Sequence, residues 1–190
     1  MARTKHRSRF ARRAGAVLGA VAAFGTVLTV AAPTASAADP MDGYSCEGGG
    51  YRIRTPYNMV WDVSKSRDDH GSIVQYEWKS TDNANQQFQV CSQDDPRNPG
   101  ARFYKFKDHM RWWCVAMDQG HIEDGTWLIT EECNWEPREV FWGRSIPGTN
   151  LVAFQAQNSQ SWLVLQSDQR AGHVVQAKFQ ADLFALEKVW

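Results

Sequence analysis

The stretch that decides the fold is Trp61 to Phe88, WDVSKSRDDHGSIVQYEWKSTDNANQQF. It opens on a short aliphatic-acidic strand, Val60-Trp61-Asp62-Val63, followed by a polar turn closed by Gly71. A second strand, Ser72-Ile73-Val74-Gln75-Tyr76, leads to the corner Asn85-Gln86-Gln87-Phe88. Four polar side chains with open hydrogen-bonding edges, Asp62, Gln75, Asn85 and Gln86, are interleaved with aromatic residues. Carboxylate, amides and rings in one short segment suit a small polyhydroxylated ligand better than a core or a catalytic centre.

Outward from this stretch, helical periodicity is poor. Short alternating runs such as Tyr51–Arg54, Arg102–Phe106, Thr126–Ile129, Leu151–Phe154 and His173–Gln176 are separated by Gly, Pro, Asn and Asp, the pattern of an all-β domain. Comparing the chain with itself gives three related units. Trp61-Asp62-Val63 superposes on Val115-Ala116-Met117 and on Trp162-Leu163-Val164, and fourteen residues after the first member of each stand Gln75, Ile129 and Gln176. Gly71, Gly125 and Gly172 sit four residues before these, and Phe88, Phe141 and Phe184 close the units. A single unit cannot bury its apolar face, whereas three around an axis close a barrel and remove most open strand edges.

Residues 1–37 read as a secretory signal peptide: six basic residues up to Arg13, a small apolar run, and Ala35-Ser36-Ala37 as the cleavage site. The remaining 38–190 has 15 basic against 21 acidic side chains, a net charge of about −6, which argues against nucleic acid and anionic membranes as partners. A secreted, extracellular, monomeric single domain is expected. Its four cysteines, Cys46, Cys91, Cys114 and Cys133, imply two disulfides with three possible connectivities. The histidines do not cluster, so no metal and no cofactor is expected. Asp68-Asp69-His70 and Asp108-His109 set acids beside histidines, but no recognisable catalytic motif accompanies them, and an enzyme is not expected.

The three-fold spacing, with Asn85-Gln86-Gln87-Phe88 closing the first unit, resembles the ricin B-type lectins, whose repeats end in Gln-x-Trp. The resemblance implies a β-trefoil with pseudo-symmetric repeats at roughly 48–98, 99–146 and 147–190. It also implies a Cys114–Cys133 disulfide, which leaves Cys46 to pair with Cys91. In function it implies carbohydrate binding, with galactose-type sugars or another glycan as the partner.

The family site takes an Asp from the first motif strand, a Gln and an aromatic from the second, and an Asn-Gln pair from the corner. Carried onto this chain, these are Asp62, Gln75, Asn85 and Gln86. The ring, expected two residues after the Gln, falls on Glu77. The loop from there to Asn85 is a residue short, so Trp78 takes the aromatic role and Tyr76 is expected to face the core. The second and third repeats have Ala116 and Leu163 at the acid position, so one site is expected, in the first repeat. The alternative is a trefoil that has lost sugar binding and acts as a protein-binding or inhibitory module, through a patch around Trp112, Trp135 or Trp142. A polysaccharide module serving a separate catalytic partner is a third reading. Trp112-Trp113 reads as one core ring and one half-covered ring.

Overall fold

The computed structural model describes residues 43–65, 71–134 and 136–190. The signal peptide expected at 1–37, the acid-histidine turn at 68–70 and Trp135 lie outside the described residues.

The described chain is built from short strands. A two-residue strand β1 (Ser45–Cys46) precedes three four-stranded units. The first is β2 (Tyr51–Arg54), β3 (Val60–Val63), β4 (Ile73–Tyr76) and β5 (Phe88–Asp94). The second is β6 (Ala101–Asp108), β7 (Cys114–Met117), β8 (Leu128–Glu131) and β9 (Phe141–Ser145). The third is β10 (Leu151–Ala156), β11 (Trp162–Leu165), β12 (Val174–Ala177) and β13 (Phe184–Lys188). The outer strands of each unit pair around a closed ring, β5-β2-β13-β10-β9-β6, sealed by pairing of β5 with β6. The inner strands, β3–β4, β7–β8 and β11–β12, form three hairpins that cap this barrel. This is a β-trefoil.

Alternation explains why these segments make strands with one buried face. Tyr51 and Ile53 of β2 are buried while Arg52 and Arg54 are half-buried. The core is mainly aromatic: the Trp61 ring lies 5.4–6.0 Å from the rings of Phe184, Phe106 and Phe88 and 6.4 Å from that of Phe154, all of them fully buried. Each such ring taken from water stabilises the fold by roughly 1.5–3 kcal/mol. Disulfides join Cys46 to Cys91, where β1 meets β5, and Cys114 to Cys133, across the second hairpin. Closing such loops contributes ~2–4 kcal/mol each.

Register corrects the fixed fourteen-residue spacing. Trp61 pairs with Gln75, Val115 with Thr130 and Leu163 with Gln176. The separations are therefore fourteen, fifteen and thirteen, because the hairpin loops differ in length. Side chains alternate across a strand, so a slip of one residue exchanges its faces. Leu163 is thus a fully buried core residue equivalent to Trp61, and Val164 stands opposite Val175 at the place of Asp62.

Gln75, Thr130 and Gln176 fall at one equivalent position, and all three lace the hairpin triplet together. Gln75 Nε2 donates to the carbonyls of Ser167 (2.9 Å) and Gln169 (2.8 Å) in the third hairpin loop. Gln176 Nε2 donates to those of His121 (3.1 Å) and Glu123 (2.7 Å) in the second. Thr130 Oγ1 donates to that of Gly71 (3.3 Å) in the first.

Candidate functional site

Asp62 leaves β3 on the face opposite Trp61 and is 5 % exposed. A carboxylate buried this far needs donors. Asn85 Nδ2 donates to Oδ1 at 2.6 Å, and Gln86 Nε2 donates to Oδ2 at 2.7 Å. Lys79 Nζ reaches Oδ2 at 3.2 Å. Asn85 and Gln86 come from a single 3-10 turn, Ala84–Gln86, which folds the corner under the hairpin. Gln86 also accepts from the Lys79 backbone N–H (2.8 Å) and donates to the Glu77 carbonyl (2.9 Å), so it holds the corner as well as the acid. Asn85 Oδ1 is buried and accepts no hydrogen bond among the described residues.

Asp62, Asn85 and Lys79 border a pocket of about 360 Å³, which Val74, Tyr76 and His173 also line, while Gln86 lies behind it, fully buried. The ring in that wall is Tyr76. Asp62 pairs with Val74, so Val74 and Tyr76 share its face, whereas Gln75 shares the face of Trp61. Counted from Tyr76 rather than Glu77, the loop to Asn85 is no longer a residue short. Tyr76 therefore lines the pocket and does not enter the core, and that is the site residue the sequence reading missed. The signal for it was present: Ile73 and Gln75 have one parity, and the other belongs to the site.

Of the five residues expected at the site, the structure brings Asp62, Asn85 and Gln86 together. Gln75 is fully buried in its lacing role, with its Oε1 accepting from Thr55 Oγ1 at 3.0 Å. Trp78 is half-buried under the Arg52 guanidinium, 5.1 Å from the ring centre. Glu77 is exposed and pairs with Arg170 at 3.3 Å rather than meeting Asp62. Lys79 Nζ lies 5.1 Å from the Tyr76 ring centre as well as 3.2 Å from Asp62, so one ammonium bridges ring and carboxylate across the pocket.

The equivalent corner of the second repeat is filled from within. Ala116 stands at the place of Asp62, Glu131 at that of Tyr76 and Arg138 at that of Asn85. Arg138 Nε approaches Glu131 Oε1 at 3.0 Å. Burial pushes the Glu131 carboxyl up, against the opposing pull of Arg138. Glu139 replaces Gln86 and accepts from the Asn134 backbone N–H at 2.7 Å and from Lys105 Nζ at 3.3 Å. Asp182 stands at the same corner position in the third repeat and accepts instead from the Leu165 N–H at the end of β11, at 2.7 Å.

Acid-histidine chemistry has no place at the second such pair. Asp108 is fully buried and accepts from the backbone N–H groups of Arg111 (2.6 Å) and Trp113 (3.1 Å), which fixes the loop between β6 and β7. Burial lowers the His109 pKa, and its ring packs on Trp112 at 4.7 Å. Trp112 and Trp113 are both exposed, at 52 % and 38 %, unlike the expected core-and-rim pair. Among the described residues no group of three or more His, Cys, Asp or Glu is placed to hold a metal ion, and no helix is long and apolar enough to cross a membrane.

No family model and no curated protein matches the chain. Solved structures do. A designed three-fold symmetric protein, ThreeFoil, superposes with a TM-score of 0.60 at 18 % identity, over 78 % of this chain and all of its own. A Macrolepiota procera ricin B-like lectin solved with lactose gives 0.55 at 16 % identity, over 75 % of this chain and 97 % of the lectin. A Polyporus squamosus lectin solved with a sialylated galactose epitope gives 0.59 at 13 % identity, and this chain spans 49 % of its length. The exo-β-1,3-galactanase of Clostridium thermocellum gives 0.59 at 18 % identity, and the chain spans 31 % of it. The chain is a β-trefoil, a fold it shares with these lectins and with the designed protein.

Proposed function

We propose that this protein is a secreted carbohydrate-binding protein in which, of the three hairpin corners, the one in the first repeat is a sugar site. The observation that carries this reading is the buried Asp62 carboxylate, held by Asn85 and Gln86 at the edge of a pocket walled by Tyr76. A pyranose offers hydroxyls that donate and accept, and a C–H face that packs on a ring. An ionised carboxylate has about four acceptor positions, of which Asn85, Gln86 and Lys79 engage three. Lys79, 36 % exposed at its side chain, makes the longest of the three contacts. A sugar hydroxyl takes the place of its ammonium on Asp62, while the C–H face takes its place over Tyr76. Asn85 Oδ1 supplies a further acceptor. Gln86 positions the acid and is not counted as a sugar contact, and Gln75 and Trp78 are left out of the set.

The fold of the neighbours and the mismatch between repeats support this reading: polar side chains that could meet a sugar are kept in one corner and replaced by an internal ion pair in the next. Titration calorimetry with galactose, lactose and related sugars tests it. Binding in the micromolar to millimolar range, lost in Tyr76→Ala and in Asp62→Asn, is expected. Failure of every sugar to bind at millimolar concentration would overturn it.

A further inference from the structure

The barrel wall of the second repeat carries a different constellation. Gln93, Phe103, Trp142, Gln155 and Trp162 are directly opposed in register across β5, β6, β9, β10 and β11. Opposed residues share a face, and this is the outer one, because Tyr104, Phe141 and Phe154 beside them are buried in the core. At ~4.8 Å per strand the row runs for roughly 19 Å. Its centre, Trp142, separates two hollows, of about 660 Å³ and about 510 Å³, and lines both.

The ring is held in place. Trp142 Nε1 donates to Asp95 Oδ2 at 3.1 Å, and Asp95 also accepts from Asn98 Nδ2 (2.7 Å) and from the Arg97 backbone N–H (2.9 Å). Those donors hold the Asp95 carboxyl below the usual range, led by Asn98. Three glutamines, Gln155, Gln157 and Gln160, line the larger hollow beside Phe103. Gln155 and Gln160 each donate one amide N–H to a backbone carbonyl, at 2.6 and 2.8 Å, which fixes the amides and leaves their Oε1 atoms as acceptors. Arg97 lines the larger hollow, where its charge acts on Asp95, and Arg144 lines the smaller; neither guanidinium comes within 4.0 Å of a carboxylate among the described residues.

The fold does not require this row. The positions equivalent to Phe103 and Trp142 are Gly50 and Gln89 in the first repeat, and Leu151 and Ala185 in the third. An anchored ring between two hollows suits an extended chain rather than a single residue. Rings and amides suit its C–H faces and hydroxyls, and a guanidinium in each hollow suits carboxylates at intervals along it.

We propose that the barrel wall centred on Trp142 is a second binding site, for an acidic oligosaccharide that bears carboxylates. It does not depend on the Asp62 pocket.

The test uses a uronic-acid tetramer and the same tetramer with its carboxyls esterified, read by tryptophan fluorescence and calorimetry. The acidic tetramer is expected to bind the unmodified protein, at least ten-fold more tightly than the ester and more weakly as salt rises. Arg97→Gln with Arg144→Gln, both exposed, is expected to weaken binding at least ten-fold without changing the thermal midpoint. Trp142→Ala is expected to abolish it, and Tyr76→Ala to leave it unchanged. Equal binding of acid and ester, no binding at millimolar tetramer, or full binding by the double arginine variant would overturn the proposal. Loss of binding in Tyr76→Ala would instead move the ligand to the first repeat and also overturn it.

Discussion

The first and second repeats put different chemistry on the same corner. In the first, a buried carboxylate held by an amide pair borders an open pocket together with Asn85 of that pair and a tyrosine. In the second, alanine replaces the carboxylate, and arginine and glutamate close the space with their own ion pair at 3.0 Å. The corner residue accepts from a backbone N–H in all three repeats, as Gln86 and Glu139 from the corner loop and as Asp182 from the end of β11. What the trefoil needs at this place is thus separable from what a ligand would need. The corner acceptor belongs to the fold, and the acid, the Asn and the ring are what vary.

The largest effect expected from breaking this comparison is in the second corner. Lys105 and Glu139 are 1 % and 0 % exposed and 3.3 Å apart. Lys105→Met leaves a buried carboxylate without its cation and is expected to cost about 3–5 kcal/mol in urea unfolding. Adding Glu139→Gln, which copies Gln86, is expected to recover most of that. Burial already pushes the Glu139 carboxyl up. A carboxyl whose folded pKa exceeds its unfolded value destabilises the fold as pH rises, so the single variant should regain stability as pH falls from the folded value towards ~4.3. A double variant no more stable than the single one would mean that the two corners are not equivalent supports.

Next in size, Asp62→Ala removes the acceptor for two buried amide donors and is expected to cost about 1–3 kcal/mol in the same measurement. Tyr76→Ala, in the pocket wall, is expected to change stability far less while removing sugar binding. If Tyr76→Ala unfolds the protein as readily as Asp62→Ala, the ring belongs to the core and the distinction between fold and site fails.

A smaller effect of opposite sign is expected in the loops between the first two strands of each repeat. Asn58, Trp112 and Gln160 occupy the same left-handed conformation, with φ of 60°, 62° and 58°. Asn tolerates it and a bulky residue does not. Trp112→Asn is therefore expected to raise stability by about 1 kcal/mol, seen as a higher thermal midpoint.

The smallest effect lies where the third repeat meets the first. Glu187 accepts from Arg54 at 2.8 Å and from Arg52 at 2.6 Å, and its carboxyl is held below the usual range, chiefly by Arg54. With the folded pKa depressed, its contribution is present above the unfolded value of ~4.3 and is lost as pH falls through the folded one. Glu187→Gln should lower the thermal midpoint slightly in the neutral region, leave it nearly unchanged below the folded pKa, and so flatten the acid limb of the profile.

Much of this was legible in the residues. Alternation and the recurrence of strand, hairpin and closing phenylalanine gave the three units, and Asp62, Asn85 and Gln86 stood out as polar groups with no place in a core. The faces of the hairpin strands were not legible. Loop length between β3 and β4, β7 and β8, and β11 and β12 is set by local turn packing and varies from repeat to repeat. A fixed spacing therefore misplaced Leu163 and Ile129 by one position, and in the first repeat Gln75 stood one residue beyond Val74, and Glu77 and Trp78 one and two residues beyond Tyr76. The barrel-wall row of Phe103, Trp142 and Gln155 was out of reach for another reason: its members come together only through the pairing of strands distant in sequence.

The central claim is that, of the three hairpin corners, the first alone binds sugar. An amide-resolved NMR titration of the protein with galactose or lactose tests it most directly. The predicted result is saturable shifts confined to Asp62, Tyr76, Lys79 and the Asn85 side-chain amide, with Ala116, Glu131 and Val164 unmoved. Shifts spread equally over the three corners, or none at saturating sugar, would contradict it.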